Sequence, residues 1–110
     1  MNPAKTLIGE NVLFDTNYPE DITIEEGVRL TAGVSIVTHF MNPNTGSYDR
    51  GKVHIKKRAW LGMNTLVVKP VTIGEDAVVG AGSIVTKDIP DGEVWAGNPA
   101  RFIKKRKDLI

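Results

Sequence analysis

The 110-residue chain has no cysteine, few aromatic residues (6%) and almost no net charge (+1). Without thiols, neither a disulfide framework nor a thiolate zinc site can be built. The balance of 14 Lys and Arg against 13 Asp and Glu gives no support for a nucleic-acid binder, which carries a basic excess. No apolar run approaches the roughly 20 residues that cross a bilayer, and "MNPAKTLIGE" lacks the apolar core of a signal peptide. A cytoplasmic protein without a membrane span is the expectation. Eleven glycines and six prolines argue against a helical bundle, because both disfavour helix interiors. A domain this small buries a modest share of its surface, so self-association is expected before any motif is read.

What the chain does have is a repeat. Stepping by six from Ile55 gives Leu61, Val67, Ile73, Val79 and Val85. Four places after each stands a mostly small residue: Ala59, Thr65, Val71, Ala77, Ser83, Ile89. The same frame runs through Ile24, Leu30 and Ile36, with Val28 and Val34, and again through Ile8 and Phe14, with Val12. A period of six fits neither the three-and-four spacing of a helix nor an antiparallel meander. It predicts a solenoid in which each unit supplies one short strand and one bend, the aliphatic residue and the small one pointing inward. The repeat breaks once at length, in "SIVTHFMNPNTGSYDRGK", where a polar loop follows His39.

"WLGMNTLVVKPVTIGEDAVVGAGSIVTKDIP", "WAGNPARFIKK" and "GVSIVTHF" before a polar loop resemble three signature regions of the hexapeptide-repeat acyltransferases. The branch is that of the maltose, galactoside and capsular-polysaccharide O-acetyltransferases. The resemblance implies an all-β chain: a left-handed parallel β-helix with three units per triangular coil, one extended loop, and a short C-terminal helix or tail. The β-helix would occupy 1–95, with the loop excursion at 40–52, and the C-terminal extension 96–110. The implied co-substrate is acetyl-CoA, with no metal, and the implied acceptor a hydroxyl of a saccharide-type molecule. The implied assembly is a homotrimer with active sites between subunits, His39 of one chain facing Trp60 and the "GAGS" coil of a neighbour. Typical maltose and galactoside enzymes carry an N-terminal helical segment that helps enclose the sugar. This chain opens almost inside its first repeat, so it is either a minimal member with an open acceptor site or a fragment.

Acyl transfer from a thioester to a hydroxyl needs a base that titrates near neutral pH, and general-base help contributes about 10²–10⁴ in rate. Only two histidines are available. His54 lies between two core aliphatics and so points outward as surface; His39 stands at the bend position beside the excursion, where its alternative is a turn residue opening a loop. With no cysteine nucleophile, the acceptor hydroxyl attacks the thioester directly. By resemblance, a carboxylate near the end of the loop orients the histidine, and Asp49 in "SYDRGK" is the substitute; its alternative is an exposed loop aspartate. The resemblance further suggests Trp60, Gly62, Ala81, Gly82 and Ser83 along the pantetheine arm of the coenzyme. Thr86, Lys87, Arg101 and Lys104 would lie near its phosphates, with a solvated tail as the alternative for the last. "ENVLFD" suggests Asn11 and Asp15 as partners of sugar hydroxyls, although both are also ordinary bend residues. Two other functions compete. A γ-class carbonic anhydrase needs three histidines on zinc, one more than the chain has, and a non-catalytic scaffold or pseudo-enzyme has little reason to keep the broken repeat.

Overall fold

The computed structural model describes residues 5–108, so the expectations for 1–4, 109 and 110 lie outside the described residues. The six-residue frame is a left-handed parallel β-helix. The first coil holds β1 (Leu7–Ile8), β2 (Leu13–Phe14) and β3 (Ile22–Ile24). The second holds β4 (Arg29–Leu30), β5 (Ser35–Ile36), an outlying hairpin of β6 (His39–Met41) and β7 (Tyr48–Arg50), and then β8 (Val53–Ile55). The third has β9 (Trp60–Leu61), β10 (Leu66–Val67) and β11 (Thr72–Ile73). A fourth runs through β12 (Val78–Val79) and β13 (Ile84–Val85) to a parallel bridge at Ile89, and β14 (Glu93–Gly97) starts the next.

Stacking gives three parallel faces. β1-β4-β9-β12-β14 form the first, β2-β5-β10-β13 the second and β3-β8-β11 the third. Each strand is short because it needs only to place one wedge inward before the chain turns. Ile36, Ile55, Leu61, Val67, Ile73, Val79 and Val85 are all buried, as are Ala59, Thr65, Val71, Ala77, Ser83 and Ile89 at the small positions. Only the first coil departs: Ile8 is exposed, and among the described residues no coil stacks beyond it.

Two of the three corners are tight bends with a left-handed residue. Asn11, Gly33, Asn64 and Gly82 stack at the corner between the first and second faces, with φ of 56°, 77°, 61° and 73°. Glycine and asparagine tolerate that backbone best. Asn11, expected at the acceptor site, is therefore a bend residue of the first coil. The equivalent corner between third and first faces includes Arg58 and Asp76, whose side chains pair at 2.8 Å.

The third corner carries the insertions. Along the first face, Leu7 pairs with Arg29, Arg29 with Trp60 and Trp60 with Val78, advances of 22, 31 and 18 residues. Eighteen is three hexads, so the first coil holds four extra residues and the second thirteen. The four sit between β2 and β3, around a 3-10 turn at Pro19–Asp21. The thirteen sit between β5 and β8 and form the β6–β7 hairpin, so the expected loop is a ribbon.

The C-terminal extension differs from expectation. It is no helix or bare tail: β15 (Ala100–Lys105) returns antiparallel to β14 through the "AGNPA" turn, and only Arg106–Asp108 make a 3-10 turn. The expected boundary at 95/96 falls within β14. Antiparallel pairing satisfies the open edge of the first face, which a tail would leave bare. Arg106 pins the end by donating to the carbonyls of Arg58 and Asp76, at 3.2 and 2.9 Å.

Candidate active site

The two insertions occupy the same corner on successive coils, so they stack on one another. From the first come Asp15, Asn17 and Tyr18; from the second, Thr38, His39, Tyr48 and Arg50. His39 opens β6 instead of forming a bend, and its ring is 24% exposed. Its Nδ1 lies 2.5 Å from Asp15 Oδ2. With the Nδ1 proton directed to that carboxylate, Nε2 carries the lone pair, and the Asn17 amide donates toward it at 3.3 Å. Tyr18 meets the imidazole in a T-shaped contact with centroids 5.4 Å apart, and Tyr48 flanks it at 5.7 Å.

Asp15 is held from every side. Its Oδ1 accepts the Asn17 backbone N–H at 2.9 Å. Its Oδ2 accepts the Thr38 N–H at 3.0 Å and the Thr38 hydroxyl at 2.9 Å. Burial by itself pushes the carboxyl up, but the Thr38 and Asn17 N–H groups, the His39 ring and the Thr38 hydroxyl together hold it far below the usual carboxylate range. The result is a fixed anion behind a half-buried imidazole. A cavity of about 230 Å³ opens beside them, lined by Phe14, Asp15, Asn17, Val37 and His39 among others.

Asp49 is not the carboxylate beside His39. In the antiparallel register His39 faces Arg50 and Phe40 faces Asp49. Side chains alternate along a strand, so Asp49 projects with Phe40 from the opposite side of the ribbon and is exposed. Asp15, expected to meet a sugar, instead turns its carboxylate to the histidine. His54 is surface as expected, paired with Glu25 at 2.5 Å.

The residues expected to hold a coenzyme are spread over several parts of the prism. Trp60, half exposed on the first face, borders a groove of about 310 Å³ with Leu7, Ile8, Gly9, Arg29 and Thr31. Gly62, Ala81 and Gly82 follow it at the corner between first and second faces. Thr86 and Lys87 lie at the corner below His39, and Arg101 and Lys104 are exposed on β15. Ser83 offers no hydroxyl to a ligand: it is fully buried, donates to the Gly80 carbonyl at 2.6 Å and accepts the Gly97 N–H at 3.0 Å. Within one chain, His39 and Trp60 stand on different parts of the prism. Among the described residues no cluster of three or more His, Asp or Glu could hold a metal ion, and no helix is long and apolar enough to cross a membrane.

Thr38, Asn17, Tyr18, Tyr48 and Arg50 were missed in the sequence. The signal that could have found them is the ten-residue step from Phe14 to Ile24, which places a short insertion one coil before the long one.

Comparison with known proteins agrees with this architecture. Residues 52–87 match the bacterial transferase hexapeptide family (six repeats). A galactoside O-acetyltransferase from Lactococcus lactis is 36% identical over 115 residues, covering 91% of this chain and 56% of that protein. A maltose O-acetyltransferase structure from Clostridium difficile superposes with a TM-score of 0.72 at 29% identity, covering 90% of this chain and 68% of the other. A variant of AntD, an N-acyltransferase from Bacillus cereus in complex with dTDP and coenzyme A, gives 0.70 at 26% identity, covering 77% and 52%. The chain spans between 18% and 56% of the length of the curated relatives it matches.

Proposed function

The chain belongs to the hexapeptide-repeat family of bacterial transferases, and we propose that it forms the acyl-transfer unit of an acetyl-CoA-dependent O-acetyltransferase acting on a saccharide-type hydroxyl in the cytoplasm. The observation that carries this reading is the Asp15–His39 pair beside an open cavity. Such a pair fixes one tautomer, leaves Nε2 as the base and stabilises the imidazolium that proton transfer creates. An acceptor hydroxyl placed at Nε2 gives up its proton as its oxygen attacks the thioester carbonyl. The C–S bond then breaks, and the imidazolium returns the proton to the departing thiolate. Atoms and charge balance without a covalent enzyme intermediate.

The acceptor class follows from the galactoside and maltose enzymes that the chain resembles. For acetyl-CoA, the support is the coenzyme A in the complex of the N-acyltransferase relative, together with the exposed Trp60 beside its groove. Gly62, Ala81 and Gly82 would let the pantetheine arm approach the backbone, and Thr86, Lys87, Arg101 and Lys104 would meet the phosphates. Because His39 and Trp60 are apart within one chain, we assign the complete site to two neighbours in a homotrimer. The exposed Ile8, Leu13, Trp60 and Met63 give that packing an apolar surface to cover.

The test is thiol release from acetyl-CoA over a panel of mono- and disaccharides. Acceptor-dependent release is expected. A folded trimer that releases thiol with none of them is a scaffold, and the reading fails.

A further inference from the structure

We propose that Arg50 is a positioning residue for His39, a latch that locks the two insertions into one rigid site. This rests on the reading of His39 as the acyl-transfer base. The outer strand of the hairpin that carries His39 has little to hold it: β7 is exposed along its length, and a two-stranded ribbon is marginal by itself. Arg50 stands opposite His39 in the ribbon register. Its guanidinium leaves the ribbon and reaches across to the insertion of the coil before.

There it makes four contacts. Nε donates to Asp21 Oδ2 at 2.5 Å, Nη2 to Asp21 Oδ1 at 3.3 Å and to Glu20 Oε1 at 2.6 Å. The guanidinium also lies 3.9 Å over the Tyr18 ring, and that ring makes a T-shaped contact with His39. Fork, carboxylate and aromatic face are thus engaged at once, which a lysine cannot reproduce. Asp21 is buried, so the anchor end is fixed in the coil. Apart from the bonds of His39 itself to Asp15 and Asn17, the ribbon's other ties work elsewhere. Lys69 sits 5.0 Å over Phe40, on the side away from His39, and the Gly51 N–H donates to the Thr38 carbonyl at the base. Arg50 ties the outer strand, β7, to the segment supplying Asp15, Asn17 and Tyr18, which β6 meets through His39 itself.

The experiment uses the full chain with Arg50→Ala and Arg50→Lys, read in two ways. The first is the proton NMR resonance of His39 Nδ1–H, identified by its loss in His39→Gln. The second is steady-state kinetics with acetyl-CoA and the best sugar of the acceptor panel. In Arg50→Ala the resonance should broaden or vanish, and kcat should fall about 10- to 100-fold, as for a base misplaced by about an ångström. The KM for the sugar should move less than about threefold, Arg50→Lys should recover little, and Asp15→Asn with Arg50→Ala should be no worse than Asp15→Asn alone. An unchanged resonance with kcat within about twofold of wild type, or losses that multiply in the double variant, overturns the proposal. Should Arg50→Ala not fold, Tyr18→Leu keeps the ion pairs and removes the ring between Arg50 and His39; wild-type kcat and resonance there also overturn it. If wild type itself shows no turnover, the acetyltransferase reading fails, while the resonance still decides the latch.

Discussion

Replacing Asp15 by asparagine keeps the shape of the site and removes one charge. Every polar neighbour of this carboxylate presents a donor: the N–H of Asn17, the N–H and hydroxyl of Thr38, and His39 Nδ1. An amide offers only one accepting oxygen. With that oxygen at the Oδ2 position, Thr38 and His39 keep their bonds and the new NH₂ meets the Asn17 N–H. One buried bond is lost, at a cost of about 1–3 kcal/mol in stability. The reverse orientation sets the NH₂ against Thr38 and His39 together, costs more, and favours the Nε2–H tautomer, whose Nε2 cannot take the acceptor's proton. The catalytic effect is larger. An imidazolium formed about 4 Å from an anion gains about 4 kcal/mol at an effective dielectric constant near 20. The ring is 24% exposed, so part of this is screened, and a fall of about 10²–10³-fold in kcat is expected. The assay is thiol release at saturating acetyl-CoA and acceptor, with urea denaturation alongside. A folded Asp15→Asn protein with kcat within about threefold of wild type would refute the argument that this anion supports the base.

Other consequences follow from the same geometry. The folded Asp15 carboxyl lies below its ordinary value of 3.8, so unfolding takes up a proton in acid; its stabilisation is complete above that value and is lost as pH falls below it. The urea midpoint of wild type should therefore drop on acidification more steeply than that of Asp15→Asn, and parallel curves would contradict the assignment. A Cβ at Gly62 would stand 2.6 Å from the Ala81 nitrogen and 2.9 Å from the Val79 carbonyl oxygen, both backbone. Gly62→Ala should thus cost about 1–3 kcal/mol in thermal denaturation. Trp60→Ala should raise the KM for acetyl-CoA about tenfold, the size of a lost aromatic contact, and leave that for the sugar unchanged in steady-state kinetics.

The solenoid was legible because its cause is local. One aliphatic residue must enter a narrow prism every six positions, and Ile55 through Val85 announce that without reference to anything distant. The turn ladder was partly legible, since Gly33 and Gly82 mark bends, but Arg58 and Asp76 adopt the same backbone and carry no such mark. The site was harder to read because it depends on stacking. Asp15 and His39 are 24 residues apart, and only the paired insertions at one corner bring them together. Asp49 is near His39 in sequence, yet alternation along β7 turns it away. Ser83 reads as a ligand residue in "GAGS", whereas its hydroxyl ties two coils. The strand at Ala100–Lys105 was hidden by its run of cations, which looks like a solvated tail until an open sheet edge needs a partner.

The most direct measurement is thiol release from acetyl-CoA, with the sugar that gives fastest turnover, by wild type and His39→Ala at equal trimer concentration. The account predicts loss of about 10²–10⁴-fold in kcat on removing the base, with the β-helix still folded. A His39→Ala protein that turns over as wild type does would contradict it.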